Sequence, residues 1–400
     1  MFERLCRLKI AELCLLPESR FTLRNLLIYR HQLFRPSEGF IVSQAERLQE
    51  FRPVYVGREL SGTAPSGATV CTLESARRVD VLRYMLRRDP RPILREVRSL
   101  KPVMIHAHFG VEGVYALEVA RRLGIPLVTT FHGLDATTSR MGLLRSGHAS
   151  WFQYLLRRRS LAQSGELFLC VSEFIRERVL RLGFPPEKCL THYIGVDVEG
   201  IAGRTASSHS RDEDAEAVIL HVARLVETKG TRYLLEALAQ VIASGVDARL
   251  IVIGDGPLRS RLEGYARSLG VRDRVLFLGT LPNSTVLDWV CDAAVLAFPS
   301  VTAASGAVEG LGMVLLEAAA AGVPAIATRY GGIPEAVVDG RTGVLVEERD
   351  VDALADALRM LLTNEGERAA MGAAARDYVA RKFDVNRQTA ALESLYKKLV

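Results

Sequence analysis

The chain has 400 residues, of which 48% are apolar and 24% charged, with a net charge of +6. Two domains are expected at this length, and the balance excludes a disordered or fibrous chain. Six cysteines without a C-x-x-C pair read as reduced thiols and argue against a zinc site or disulfide framework. The most apolar stretch, near Gly312 to Thr328, is broken by Glu317, Gly322 and Pro324 and does not read as a membrane span.

The charge is uneven. Residues 1–200 hold 30 Lys and Arg against 20 Asp and Glu; residues 201–400 hold 22 against 26. The basic half suits an anionic partner, either a phospholipid surface or a diphosphate-bearing substrate, or is simply a solvated Arg-rich face. Nothing in the pattern calls for nucleic acid.

Residues 1–24 form an N-terminal extension. Phe2, Leu5, Leu8, Ala11, Leu15 and Leu16 are spaced as on a helix, with Arg4, Arg7 and Lys9 among them. This reads as a membrane-surface helix or a plain extension, and its scattered charges make a poor signal peptide. A first domain is expected over 25–200. Asn25–Arg30 is a strand, followed by the loop Arg35-Pro36-Ser37-Glu38-Gly39-Phe40 and an amphipathic helix to about Phe51. Pro53–Val56 is a second strand, residues 57–70 a loop or weak hairpin, and residues 74–88 and 91–99 helices.

The buried runs 103–105 and 127–130 end in His106-Ala107-His108-Phe109-Gly110 and Phe131-His132-Gly133. After strand 167–170, Ser172 caps a helix. Strands alternating with helices predict a doubly wound parallel sheet.

The pattern breaks over the polar residues 201–216, taken as a linker. The acidic run Asp212-Glu213-Asp214 is read there as solvated charge. Alternation restarts in a second domain, 217–384, with strands at 218–222, 249–253, 275–278, 294–298, 324–327 and 344–346. A last helix, 385–400, has no strand after it and is expected to cross back to the first domain.

Chemistry gathers at strand ends. Arg224 and Lys229 follow the first strand of the second domain, on the face where parallel sheets bind ligands, and two cations there suit a diphosphate. Gly254-x-Gly256 follows the next strand, but Arg259 stands where a dinucleotide fingerprint needs its third glycine. Glu309 and Glu317 flank Gly310-Leu311-Gly312 and the run Met313–Leu316. The helix beginning near Gly312 offers free N–H groups to phosphate or sugar oxygens, and Glu317 about one turn in can accept the two hydroxyls of a ribose. Taken singly, each of these residues also reads as an ordinary surface or loop charge; so do His132 and His108 as structural histidines.

Together these motifs resemble the retaining glycosyltransferases of family 4. The resemblance covers residues 25–400: Thr130-Phe131-His132-Gly133, Arg224 with Lys229, Gly254-Asp255-Gly256-Pro257, the paired glutamates and Gly331-Gly332-x-Pro334-Glu335. Ser37-Glu38-Gly39-Phe40-Ile41 and the His106–Gly110 run are similar to exopolysaccharide enzymes of the colanic acid and amylovoran type. Gly39 stands where those carry Thr, so that position offers no hydroxyl.

The resemblance implies the GT-B fold, two Rossmann-like domains facing across a cleft. It implies a metal-independent hexosyltransferase with no cofactor beyond its UDP- or GDP-linked sugar substrate. Catalytic roles would fall to His132, Arg224, Lys229 and Glu309. The donor would lie on Gly254, Gly256, Gly310, Leu311, Gly312, Met313, Val314 and Glu317, and the acceptor on Ser37, Glu38, Gly39 and His108.

The expected activity is transfer to a glycan or lipid-linked saccharide in exopolysaccharide or cell-surface polysaccharide synthesis. It would take place in the cytoplasm or on the inner face of the cell membrane, in contact with anionic lipid. The alternatives are a nucleotide-sugar epimerase or phosphorylase on the same architecture, glycosylation of a small metabolite, or a binding protein without catalysis.

Overall fold

In the computed structural model, residues 23–207 and 217–400 are described. The reading of residues 1–22 as a helix or extension, and the acidic run at 212–214, lie outside them.

Two parallel sheets carry the chain. The first contains β1 (Arg24–Tyr29), β2 (Phe51–Val56), β3 (Thr69–Cys71), β4 (Met104–His108), β5 (Leu127–Phe131), β6 (Leu167–Cys170) and β7 (Cys189–Thr191), in the order β3-β2-β1-β4-β5-β6-β7. The second contains β8 (Ala217–Val222), β9 (Ala248–Ile253), β10 (Val275–Gly279), β11 (Val295–Phe298), β12 (Ala325–Thr328) and β13 (Gly343–Val346), in the order β10-β9-β8-β11-β12-β13.

Both orders reverse beside the first strand of their sheet, between β1 and β4 and between β8 and β11. Such a switch point opens a crevice at the strand C-termini. Leu26, Leu27, Ile28 and Tyr29 of β1 are all buried, as expected of a parallel strand covered on both faces. The register sets Leu27 beside Val54 and Ile105, and His221 of β8 beside Val252.

The helices that matter for the site, in chain order, are α1 (Gly39–Ala45), α2 (Arg78–Arg87), α3 (Gly110–Leu123), α4 (Arg140–Arg145), α5 (Ala149–Ser164), α6 (Glu173–Arg181), α7 (Val198–Ser207), α8 (Thr231–Ala243), α9 (Met313–Ala321), α10 (Glu365–Lys382) and α11 (Val385–Lys397). α1 is shorter than the sequence reading, because Phe51 belongs to β2, where it is buried against Tyr396. Residues 69 and 70, expected in a loop or weak hairpin, belong to the edge strand β3, paired in parallel to Val54–Val56.

The expected linker 201–216 is helical over its first seven residues, as part of α7. Val198 and Ile201 are buried, α7 packs on α9, and Asp197 accepts the Gly200 N–H at 3.0 Å. Two apolar side chains and a local cap outweigh the polar composition of the segment.

α11 lies on the first domain. Glu393 accepts the backbone N–H groups of Gln49 and Glu50 at 2.9 and 2.7 Å, and the Tyr396 hydroxyl meets Nδ1 of the buried His106. The second domain's last helix is thereby fastened to the first sheet.

Candidate functional site

A cleft of about 870 Å³ opens between the C-terminal ends of the two sheets. From the second domain it is lined by Arg224, Lys229, Gly254, Glu309, Gly312, Met313, Val314 and Glu317, and from the first by Ser37, Gly39 and Phe40. The chain thus brings ten of the sixteen expected site residues to one surface.

Lys229 follows β8 in a short 3-10 turn, and Gly230 after it is left-handed at φ +62°; a Cβ there would meet the Pro299 carbonyl at 1.8 Å. The ammonium is ion-paired with Glu309 and lies 5.0 Å from the centroid of the Phe298 ring. Arg224 is exposed in the cleft and has no ion-pair partner among the described residues. One cation is therefore open to an incoming anion and the other is held by a carboxylate that it can leave.

α9 begins at Met313 and stops at Ala321 before the left-handed Gly322, and its first turn carries no side-chain cap. Met313 and Val314 reach the cleft, so the free N–H groups of that turn face it. Glu317 sits one turn in. Burial alone pushes its carboxyl up to about 7, because no cation approaches it. Such a group can pass from neutral to ionised near physiological pH, and hydroxyl donors would favour its ionised form.

Six expected residues stand elsewhere. Leu311 is packed in the core, and Gly256 abuts the Leu225 carbonyl, where a Cβ would come to 2.4 Å. Gly310 touches the other domain instead of the open cleft: a Cβ there would meet the His132 carbonyl at 2.2 Å, and its own carbonyl accepts the Ser172 hydroxyl at 2.7 Å. Glu38 is turned inward onto Arg30, two contacts of 2.9 Å, so it braces its own loop from beneath.

His132 lies behind Phe40, which is 5.2 Å away ring to ring, and against Phe109 at 4.4 Å. Its Nε2 faces Nδ1 of buried His108 at 3.1 Å, while its own Nδ1 is buried without a partner. Burial first, then the nearby Arg30 charge, holds His132 well below the ordinary histidine range; His108 is depressed by burial and by His132. Both are neutral and offer hydrogen bonds rather than a proton reservoir.

Two groups, Arg30 and Asp135, were not singled out from the sequence. Arg30 joins Glu38 to buried Glu112 and lies 4.3 Å over the Phe109 ring. Asp135 is buried and accepts the N–H groups of Gly110 at 2.7 Å, Gly133 at 3.0 Å and His132 at 3.3 Å, which fixes the His132–Gly133 turn. Its spacing, two residues after a strand-end glycine, is the signal that could have found it.

Glu335 of the second domain caps α6 of the first. It takes the N–H groups of Glu173 and Phe174 at 2.8 and 2.9 Å and the Tyr193 hydroxyl at 2.9 Å. With Ser172 on Gly310, this clasps the domains together at the back of the cleft. Among the described residues no three His, Cys, Asp or Glu side chains gather as a metal site, and no helix is long and apolar enough to cross a membrane.

Comparisons with known proteins bear on the family and the fold. Residues 44–199 match the model of glycosyltransferase family 4, and residues 204–378 that of glycosyl transferases group 1. A Salmonella typhimurium protein named as a colanic acid biosynthesis glycosyltransferase is 33% identical over 303 residues, covering 72% of this chain and 69% of its own. A Mycolicibacterium smegmatis protein named as a GDP-mannose-dependent alpha-(1-6)-phosphatidylinositol monomannoside mannosyltransferase is 33% identical over 296 residues, 72% of this chain and 75% of its own. Among solved structures, Anabaena HepE in complex with UDP superposes with a TM-score of 0.75 at 19% identity, over 94% of this chain and 100% of that one.

Proposed function

Because the chain belongs to glycosyltransferase family 4 and has the GT-B fold, we propose that it moves a hexosyl group, with retention, from a nucleoside-diphosphate sugar to a glycan or lipid-linked saccharide. The observation that carries this is the cleft. Arg224, Lys229, Glu317 and the open N-terminus of α9 line it on one side, and Ser37, Gly39 and Phe40 on the other.

The diphosphate is received by Arg224, by Lys229 as it exchanges Glu309 for phosphate oxygens, and by the free N–H groups of α9. These groups act where negative charge grows as the glycosyl bond breaks, which is where preorganised charge accelerates most. Two cations and a helix terminus supply that stabilisation without a divalent ion, so turnover is expected to survive a chelator. Glu317 holds the ribose diol. Glu309, freed from Lys229, holds hydroxyls of the transferring sugar.

Retention is assigned to attack by the acceptor on the face the diphosphate leaves, through an oxocarbenium-like transition state, with the departing phosphate oxygen taking the acceptor proton. His132, neutral and held in a turn fixed by Asp135, backs the Phe40 wall of the cleft, and its carbonyl packs on Gly310 behind that wall.

The colanic acid name of one relative supports a role in exopolysaccharide synthesis, and the phosphatidylinositol mannoside in the name of the other supports a lipid-bearing acceptor. The basic first half fits work at the cytoplasmic face of the membrane. A thermal-shift screen across UDP- and GDP-sugars tests the donor, because a ligand of the native state raises the melting temperature. Product anomeric configuration by NMR tests retention. If no nucleotide sugar shifts the melt or is turned over with saccharide acceptors, the reading fails.

A further inference from the structure

The first domain carries apolar side chains on the outside of three neighbouring helices. On α2, Val79, Leu82 and Leu86 are 45, 56 and 51% exposed. Their i, i+3, i+7 spacing makes a stripe on the side away from Asp80 and Tyr84, which face the core. On α5, Phe152 and Leu156 are 52 and 57% exposed, and on α4, Met141 and Leu144 are 57 and 50% exposed. α5 packs on both α2 and α4, and the Gln153 amide donates to the Leu86 carbonyl at 2.7 Å, so the stripes adjoin.

The charge around them has one sign. From Ala136 to Gly165 there are five Arg and no Asp or Glu. Arg145, Arg157 and Arg159 are exposed, as are Arg78, Arg83 and Arg87 beside the α2 stripe, whose one acid, Asp80, is buried. Arg83 and Arg87, with Arg88, Arg91, Asp89 and Glu118, also line a hollow of about 530 Å³. Arg91 is paired with Asp89, Arg88 faces Glu118 and Arg83 reaches Asp80 at 4.0 Å, while Arg87 has no ion-pair partner among the described residues.

We propose that this α2–α4–α5 face docks on an anionic phospholipid bilayer. The apolar side chains would enter the interface and the arginines would pair with lipid phosphates. Exposed leucine, methionine and phenylalanine ringed by arginine is the chemistry of interfacial binding, and each basic residue near an anionic surface adds to the attraction. A second copy fits worse, since a two-fold contact would set arginine against arginine. The face reaches the cleft rim: the Ser139 N–H, at the head of α4, donates to the Ser305 carbonyl of the second domain at 3.0 Å. A docked molecule would present its cleft to acceptors held in the same leaflet. This rests on the membrane-side reading above and gives it a location.

The test uses the full chain with vesicles of phosphatidylcholine alone or with about one third phosphatidylglycerol. The parent should pellet with the anionic vesicles, and less as salt rises from about 50 to about 500 mM. The exposed quadruple variant Leu82→Ser/Leu86→Ser/Phe152→Ser/Leu156→Ser should bind at least about tenfold more weakly, with donor turnover in vesicle-free solution unchanged. A separate Arg83→Gln/Arg87→Gln variant should flatten the salt dependence. Parent protein that ignores anionic vesicles, variants that pellet like the parent, or a parent dimer dissolved by the quadruple variant would each overturn the proposal. Pelleting without any transferase activity would instead keep the docking face and remove the transferase reading.

Discussion

Lys229 and Glu309 form an ion pair inside the cleft, each side chain 21% exposed. A pair left that wet gains little stability for the fold. In the proposed reaction it holds a cation where the diphosphate will bind until phosphate arrives. Lys229→Ala should therefore lower kcat by about 10²–10³ while the melting temperature moves little. Glu309→Gln frees Lys229, so nucleoside diphosphate should bind at least as tightly as in the parent while transfer falls. Calorimetric titration with the diphosphate, set beside turnover, separates the two effects. Full turnover in either variant would remove both residues from the mechanism.

Glu317 gives a pH dependence of defined sign. Its carboxyl rises from 4.5 to about 7 on folding, so between those values the folded protein holds a proton that the unfolded chain has lost. Stability contributed by this group therefore falls as pH rises through that window and stays lower above it. Glu317→Gln should gain on the parent from pH 5 to pH 8, by about 1–2 kcal/mol after allowance for the open cleft. Ribose hydroxyls favour the ionised carboxylate, so diphosphate affinity in the parent should increase over the same range and be flat in the variant. Melting curves and binding isotherms at both pH values check this. Parallel profiles for the two proteins would show that Glu317 does not meet the ribose.

Much of this site could be read locally. Glu309, Gly312 and Glu317 lie within one loop and one helix, and Arg224 and Lys229 follow a single strand, so spacing alone placed them on the ligand face. The alternation of apolar runs likewise announced two wound sheets. What escaped depends on distant partners. Asp135 is an ordinary loop acid until the chain brings the Gly110 N–H to it. Glu38 was expected at the acceptor through the resemblance of its loop to exopolysaccharide enzymes, but Arg30, itself anchored on Glu112, draws it inward. The helical start of the linker failed for a related reason: polar composition hid Val198 and Ile201, whose burial needs α9.

Glu335 should control closure. It satisfies two otherwise open N–H groups at the start of α6, across the domain boundary. Charge-assisted bonds of this kind are worth about 1.5–3 kcal/mol each when buried, and less at this half-buried position. Glu335→Ala should shift the closed form toward an open one by about tenfold or more. The radius of gyration from small-angle scattering should rise, and nucleoside diphosphate should bring it back. KM for both substrates should increase more than kcat falls. An unchanged scattering profile would mean that the domains are held by the Ser172–Gly310 contact and by α11 without help from the carboxylate.

Asp135 tests whether the His132–Gly133 turn must be fixed for transfer. Burial raises its carboxyl to about 6, although the Gly110 and Gly133 N–H groups pull the other way. Asp135→Asn keeps the shape but replaces one accepting oxygen with an N–H₂ group. Depending on how the amide turns, it confronts either the Gly110 N–H or those of His132 and Gly133. At least one buried donor is then left unsatisfied, at a cost of about 1–3 kcal/mol for each. The parent's carboxyl, raised from 3.8, makes folding less favourable as pH climbs from 3.8 to about 6, and the variant lacks that slope. The stability deficit of Asp135→Asn should therefore be largest near pH 4 and shrink by pH 7. Because Gly133 lies against Gly310, a loosened turn should also reduce kcat with the diphosphate affinity retained. Denaturant melts at the two pH values, run beside turnover, check both parts. A deficit that grows with pH would assign the stabilisation to the ionised carboxylate instead.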